Sequence, residues 1–454
     1  MEVNMDLLNG NIKKLYLQYL LAAFGSSLIS TIYGFVDMIV IGQYEGPAGS
    51  AAMAVISPIW NIIFSLGLLF GIGGSVYFSN VRSRANKTGD DENEYFTVAV
   101  LGAAVFSMLC TAVFFLFDEE VLLLFGAEES MIPLCRKYLL PVKFVIPTYL
   151  FSQVIAAFLR NDGNPGLATI AVLSGGVFNV FGDIFLTFTL DLGMFGAGLA
   201  TAMGNTMSVA VMCSHFFSKK STLRLVRVRS FFRKMKEIVV TGFSTFFIDV
   251  AMGIVTALLN NQIMRYSGSD ALAVYGIVVY ISTFVQCCGY SVGQAAQPII
   301  SSNFGAHRFD RIRQTLRCAV IASFTFAIVL TAISMAFPGQ IIALLMDATP
   351  EVLAIAPKIF RLYALSFILM PLNVFSTYYF QSLMKPGTSF GISIARGALI
   401  SGGLILLLPL VLDATGLWLA MPITEALVCV AAVCYMRKYT KELNQMPESI
   451  QASN

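Results

Sequence analysis

Long apolar runs follow one another along the whole chain and are separated by short polar segments. A run of ~20 apolar residues crosses the ~30 Å hydrocarbon core of a bilayer as an α-helix. The runs are continuously apolar, which argues against the ~10-residue alternating strands of an outer-membrane barrel. The pattern therefore predicts an all-α membrane protein with twelve transmembrane helices, at 15–41, 51–80, 95–117, 132–159, 167–190, 195–218, 236–264, 271–302, 314–337, 354–384, 389–411 and 416–436.

One long basic segment, the basic linker at 219–235, divides the twelve predicted spans into six and six. Small residues recur in the two halves at an offset of 222 positions, as in Gly67 and Gly289 or Gly71 and Gly293. Six is an even number, so both halves enter the membrane from the same side, and the repeat is parallel. We predict two parallel-repeat six-helix bundles: an N-terminal lobe at 1–218 and a C-terminal lobe at 236–437, followed by a cytoplasmic tail at 438–454.

Charge is scarce and unevenly distributed. Charged residues make up 12% of the chain and apolar residues 57%, with a mean hydropathy of +0.76, whereas a soluble enzyme has ~25% charged residues. With the N-terminus inside, 22 of the 29 basic residues fall on segments at the inner side. The positive-inside rule therefore places both termini of this multi-pass protein in the cytoplasm.

Catalytic and cofactor signals are missing from the sequence. The eight cysteines show no metal spacing, the two histidines are isolated, and there is no GxxxxGK[ST] loop for a nucleotide phosphate. We expect no enzymatic activity, no cofactor, no metal other than a possible Na⁺, and no nucleic-acid partner. Energy for any transport must then come from an ion gradient or from a partner.

Four acids lie well inside predicted spans, and an intramembrane carboxylate costs at least ~2.5–3.5 kcal/mol unless it serves a purpose. Asn179 and Asp183 are spaced i, i+4, which places both on one helix face. Asp37 and Thr201 lie at a matching depth, roughly 7–10 Å from the outer surface at ~1.5 Å per residue. We predict that these four residues form one site for an exchangeable proton or a sodium ion, because like charges that share a site favour proton exchange.

The second half carries a different set of polar residues. A second protonation or substrate site is possible there, formed by Asp249, Asn260, Gln294 and Gln297. Arg396 and Glu425 lie at similar depths in spans 11 and 12, and we expect them to form a structural ion pair.

These residues resemble the multidrug and toxic compound extrusion (MATE) transporters over essentially the whole chain. The resemblance rests on three motifs, Y-x-x-V-D-x-x-x-x-G in span 1, N-x-x-x-D in span 5 and a GQAAQPIISSNFGA segment in span 8, which are found at Tyr33–Gly42, Asn179–Asp183 and Gly293–Ala306. The family implies a cation-coupled exporter of 6+6 helices whose N-lobe cation site looks like Asp37, Asn179, Asp183 and Thr201. The chain departs from some members by having no proline in span 1 and no acid in span 10.

The function expected from these observations is H⁺- or Na⁺-coupled antiport that exports amphipathic, often cationic drugs or metabolites, by a monomer in the bilayer. One alternative is a flippase for a lipid-linked precursor, which the same superfamily contains. A pyrophosphate headgroup would require several cations in the cavity, whereas every base other than Arg396 is assigned to the inner segments or near the outer ends of the spans. A channel is a second alternative, but its pore-lining ring should repeat in both halves, and the acids do not repeat.

Overall fold

The computed structural model describes residues 6–84, 91–345 and 349–445; the end of the predicted tail, 446–454, lies outside these ranges. Within them the chain forms helices and no strand. The α-helices are α1 (Ile12–Glu45), α2 (Pro47–Arg82), α3 (Glu92–Leu116), α4 (Asp118–Leu124), α5 (Ile132–Lys143), α6 (Ile146–Asn161), α7 (Pro165–Ile184), α8 (Gly193–Cys213), α9 (Phe231–Tyr266), α10 (Gly268–Gly305), α11 (Phe309–Ala336), α12 (Pro338–Leu345), α13 (Pro350–Tyr363), α14 (Met370–Ser382), α15 (Pro386–Ile394), α16 (Ile400–Leu407) and α17 (Pro409–Gln445).

The prediction of an all-α membrane protein is confirmed. Ten helices in the described ranges are long and apolar enough to span a membrane, or eleven if the bent pair α5–α6 is one span. The predicted sixth span corresponds to α8, which has 21 residues and is not among the eleven. Its glycines and Asn205 lower its hydropathy. The same glycines allow α8 to pack closely against its neighbours.

Several predicted spans are broken. The fourth is formed by α5 and α6 with a 55° bend between them, and Pro147 lies in the first turn of α6, where a missing N–H costs little. The tenth is formed by α13 and α14 around a 3₁₀ turn at Ala364–Ile368. Near the eleventh and twelfth, Asp413 has a φ of 48° and interrupts the helical run of α17.

The chain divides into two compact units. Unit 1 contains residues up to Gly10 and Leu21–Phe246, and unit 2 contains Asn11–Leu20 and the chain from Phe247 onward. The division falls inside α1 and α9, so each of these helices belongs in part to each unit. The predicted lobe boundaries at 218 and 236 stay a prediction.

The glycines that repeat at an offset of 222 have the same packing role in both units. A Cβ on Gly67 would lie 2.8 Å from the Leu150 carbonyl oxygen on α6, and one on Gly71 would lie 2.9 Å from that of Gln153. In unit 2 a Cβ on Gly289 would lie 2.8 Å from Val374 on α14. Because small residues allow backbones to approach this closely, the repeat seen in the sequence is a repeat of one helix contact.

The basic linker is bound along its length to α3. The backbone N–H groups of Arg224, Val226 and Arg229 donate to side chains of α3: Asn93 (2.9 Å), Thr97 (3.0 Å) and Glu94 (2.6 Å). The last five residues of the predicted linker already belong to α9, which begins at Phe231. Among them Lys234 is fully buried, 3.2 Å from Glu94.

Candidate functional site: a buried polar chain in unit 1

Asp37 on α1, Asn179 and Asp183 on α7, and Thr201 on α8 come together inside unit 1. The Asn179 amide nitrogen lies 3.2 Å from the Thr201 hydroxyl and 3.5 Å from Asp183 Oδ1. Asp37, Asn179 and Asp183 are 5%, 2% and 0% exposed. The structure therefore places all four sequence-predicted residues in one buried region.

Tyr138 on α5 joins this group, and the sequence analysis missed it. Its hydroxyl donates to Asp37 Oδ2 at 2.7 Å and lies 3.3 Å from the Thr201 hydroxyl. The donors therefore run in one direction, from the amide of Asn179 through the hydroxyls of Thr201 and Tyr138 to the carboxylate of Asp37. A single tyrosine in an apolar helix does not indicate such a role when only one sequence is known.

Three oxygens of the group have no hydrogen-bond partner among the described residues: Asp37 Oδ1, Asn179 Oδ1 and Asp183 Oδ2. Buried acceptors without a donor are rare, and each requires an explanation such as an ion or a proton. The amide nitrogen of Asn179 faces Asp183. Its oxygen is therefore left as an acceptor.

Close packing of α7 on α8 brings these groups together. A Cβ on Gly204 would lie 2.6 Å from the Gly175 carbonyl oxygen and 2.9 Å from the Asn179 Cβ. A Cβ on Gly182 would lie 2.9 Å from that of Ala200. Glycine at these positions allows Thr201 to reach Asn179.

A polar cavity in unit 1 extends from this group. Asn179 and Thr201 line it, together with Tyr33, Tyr149 and residues that include Gln153 and Asn205. A small ligand or water entering this cavity would contact Asn179 and Thr201 directly.

The group fits a hard cation or a proton better than a transition metal. The described residues hold no cluster of three His, Cys, Asp or Glu side chains suited to a metal ion. What the group offers is two carboxylates, an amide oxygen and two hydroxyls, and oxygen ligands of this kind suit hard cations. Asp37 and Asp183 are both buried in this group, so one bound positive charge would stabilise both carboxylates.

The four residues predicted to form a second protonation or substrate site do not all come together. Asp249 accepts hydrogen bonds from Tyr290 and from Gln286 at 3.4 Å, neither of which was predicted. Gln297 bonds Ser301 on its own helix at 3.3 Å, and Asn260 is exposed. Gln294 is buried on α10 one turn beyond Tyr290. Tyr290 and Gln286 thus contact Asp249 although the sequence analysis did not select them.

Arg396 and Glu425 form the expected ion pair in unit 2. Arg396 Nε donates to Glu425 Oε1 at 2.8 Å, and Asn373 donates to the other carboxylate oxygen at 2.6 Å. Glu425 is fully buried and Arg396 is 9% exposed. Asn373, which lies in the predicted span 10, thus helps to hold Glu425.

Two acids outside the spans are held by basic side chains. Hydrogen bonds from Arg136 and then Lys143 outweigh burial and lower the pKa of Asp118 to about 2. At the predicted inner end of unit 1, burial of Asp162 acts to raise its pKa. Bonds from His215, Thr222 and Arg82 outweigh that burial, so the pKa of Asp162 lies below its ordinary value. Asp162 thereby fastens the basic linker to the ends of α2 and α8.

Comparison with known proteins gives a consistent result. The sequence pattern of the MatE family matches residues 22–185 and 242–401. The multidrug export protein MepA of Staphylococcus haemolyticus is 25% identical over 393 residues, which are 86% of each chain. MepA of Staphylococcus aureus strain MSSA476 is 25% identical over 410 residues, 90% of this chain and 89% of its own.

Solved structures share the fold. An outward-facing multidrug resistance MATE family transporter of the MOP superfamily matches with a TM-score of 0.90 and 18% identity, over 98% of this chain and 100% of its own. A MOP superfamily transporter from Pyrococcus furiosus, whose binding pocket of reversed polarity suggests a different function, matches with a TM-score of 0.89, 18% identity and the same coverage. A pocket of reversed polarity on this fold suggests a different function in that protein, so the shared fold does not fix the substrate.

Proposed function

We propose that this chain, which belongs to the MatE family, is a multidrug efflux transporter that exports amphipathic, often cationic compounds in exchange for H⁺ or Na⁺. It acts as a monomer in the cytoplasmic membrane of a bacterium, with both termini inside. The family match and the two export proteins named MepA support the transport class. The coupling to a cation is supported by the three unpartnered oxygens of Asp37, Asn179 and Asp183.

The coupling follows from the charge of the buried group. When Asp37 and Asp183 are both ionised, their repulsion acts on α1 and α7 across a buried region with little water to screen it. A proton or a sodium ion bound between them cancels the repulsion and allows the helices to close. Occupancy by the cation therefore changes the shape of unit 1 around the polar cavity.

Drug and cation then compete through conformation. If the drug prefers the state without the cation, its affinity falls as cation occupancy rises, and the drug weakens cation binding by the same factor. A coupling of about 1–3 kcal/mol, or roughly 5- to 150-fold in affinity, is usual for such linkage.

Transport into proteoliposomes, driven by a pH gradient and a Na⁺ gradient imposed separately, tests the proposal. Asp183→Asn keeps the shape of the side chain and removes its charge, so we expect coupled transport to be lost while insertion is retained. Asp191→Asn is the matched control, because Asp191 is exposed just beyond α7 and has a φ of 55° that asparagine tolerates. Normal coupled transport by Asp183→Asn would refute the assignment of the site.

A further inference from the structure

The basic linker and the residues that flank it carry charge of one sign. From Ser214 to Lys236 the sequence contains eight lysines and arginines and no acid. Lys234 is buried beside Glu94, and the other seven basic residues are exposed. A segment with this density of positive charge attracts anions.

Three arginines in the middle of the linker combine a fixed backbone with an exposed side chain. The backbone N–H groups of Arg224 and Arg229 donate to Asn93 and Glu94 of α3, and Arg227 lies between them. All three arginines are exposed, and within the described ranges their guanidinium groups make no hydrogen bond or ion pair. Because the backbone is already ordered, an anion that binds these side chains does not have to order the chain first.

Attachment to α3 sets the depth of the linker in the membrane. α3 has 25 residues and is long and apolar enough to span a membrane. At ~1.5 Å per residue it is ~37 Å long, which exceeds the ~30 Å hydrocarbon core. The helix begins with the polar run ENEY and ends with the apolar run FFL, so the excess length falls at its first turns. The linker bonds Asn93, Glu94 and Thr97 of those turns and therefore lies at the level of the lipid headgroups.

Exposed apolar side chains accompany the arginines. Leu225 is 69% exposed, Phe232 in the first turn of α9 is 86% exposed, and Phe217, just before the linker, is 91% exposed. Basic residues combined with Phe and Leu are typical of segments that lie in the membrane interface, where the apolar side chains enter the boundary between headgroups and acyl chains. Lipid would bury these three side chains.

We propose that the basic linker binds anionic phospholipids of the membrane leaflet on its own side, with the lipid phosphates accepting hydrogen bonds from Arg224, Arg227 and Arg229. The planar fork of a guanidinium matches two oxygens of a phosphate and binds them through charge-assisted hydrogen bonds. Phe217 and Phe232 contact the acyl chains of the same lipids. A free phosphate ion would satisfy the arginines but would leave both aromatic side chains in water, so the linker favours a lipid. This binding goes beyond the proposed export function and does not depend on it.

Native mass spectrometry of the delipidated full chain in a neutral detergent tests the proposal. Two lipids with the same oleoyl chains are compared, phosphatidylglycerol with a net negative charge and phosphatidylcholine with none. A Lys or Arg near an anionic membrane surface contributes roughly fivefold in affinity. We therefore expect phosphatidylglycerol to bind about 10- to 100-fold more tightly than phosphatidylcholine. Equal affinity for the two lipids would overturn the proposal.

A triple variant assigns the preference to the linker. Arg224→Gln combined with Arg227→Gln and Arg229→Gln removes three guanidinium groups and leaves the backbone bonds to α3 in place. We expect the variant to fold and its preference for phosphatidylglycerol to fall about 10-fold or more. An unchanged preference would refute the role of the three arginines.

The matched control is Arg437→Gln combined with Lys438→Gln and Lys441→Gln. It also removes three exposed basic residues, near the end of α17. We expect the control to keep the preference for phosphatidylglycerol. An equal loss in the two triple variants would show that net charge attracts the lipid, and would refute a site at the linker.

Hydrogen exchange on the wild-type chain tests the same site without any substitution. In nanodiscs that contain phosphatidylglycerol, the backbone amides of 219–230 should exchange more slowly than in nanodiscs of phosphatidylcholine alone, because bound headgroups cover them. Equal exchange in the two lipids would contradict the proposal.

The deacylated headgroup distinguishes a lipid from a free phosphate ester. Glycerophosphoglycerol carries the phosphate and both glycerols of phosphatidylglycerol without its acyl chains. At a concentration equal to that of the lipid it should not displace phosphatidylglycerol from the chain. Displacement would show that the arginines bind a free phosphate ester, and would overturn the assignment to a lipid.

Discussion

Replacement of Gly204 by alanine should disrupt the buried polar group of Asp37, Tyr138, Asn179, Asp183 and Thr201 without replacing any of its members. A Cβ at position 204 would lie 2.6 Å from the Gly175 carbonyl oxygen, about 0.8 Å inside the distance at which ordinary contact begins. Backbone cannot rotate away as a long side chain can, so α7 and α8 must separate locally. If they separate by that amount, the 3.2 Å bond between Asn179 and Thr201 lengthens to about 4.0 Å and is lost.

The expected consequences are a loss of stability and a loss of coupling. Overpacking of this kind lowers the free energy of unfolding by about 1–3 kcal/mol, which should lower the temperature at which the detergent-solubilised protein unfolds. Drug affinity should become almost independent of pH and Na⁺. The reason is that the amide of Asn179 no longer bonds Thr201, which connects it to Tyr138 and Asp37. Drug binding in the absence of the cation should change less.

Gly253→Ala on α9 is the matched control, because nothing lies within 4 Å of the added methyl group. Alanine is the better helix former by about 1 kcal/mol in water, so stability should be unchanged or slightly raised. If Gly204→Ala showed the same thermal transition and the same cation sensitivity as Gly253→Ala, the close α7–α8 contact would have no part in the site.

Three further predictions concern other parts of unit 1. Tyr138→Phe removes the donor to Asp37 and should alter the pH and Na⁺ dependence of drug binding while leaving insertion intact; an unchanged titration would exclude Tyr138 from the site. The pKa of Asp118 is lowered from its ordinary value of 3.8 to about 2. Its bonds to Arg136 therefore stabilise the folded protein at pH values above 3.8. That contribution should disappear as the pH falls from about 4 to about 2. Thermal transitions measured over this range should show the loss in the wild type and not in Asp118→Asn. Asp162→Asn should weaken the attachment of the basic linker, so its backbone amides should exchange hydrogen faster than in the wild type. Equal exchange rates in the variant and the wild type would show that Asp162 does not hold the linker.

Sequence reasoning succeeded where a residue is improbable in its surroundings. Asp37, Asp183 and Glu425 are carboxylates in apolar helices, and the cost of a carboxylate in a bilayer indicates a purpose from the sequence alone. Tyr138 and Asn373 are compatible with an ordinary helix interior. Their roles arise only because neighbouring helices bring a carboxylate to each of them.

The helical membrane fold, the glycines that recur at an offset of 222 and the acids of the two units could be predicted from the sequence, because hydrophobicity, repeat spacing and charge are properties of residues in order along the chain. Which atoms meet depends on how the helices pack in three dimensions. The orientation of the Asn179 amide, the bend between α5 and α6 and the bond from Asn373 to Glu425 each depend on the distances between neighbouring helices. Close packing fixes such distances, and no pattern in a single sequence encodes them.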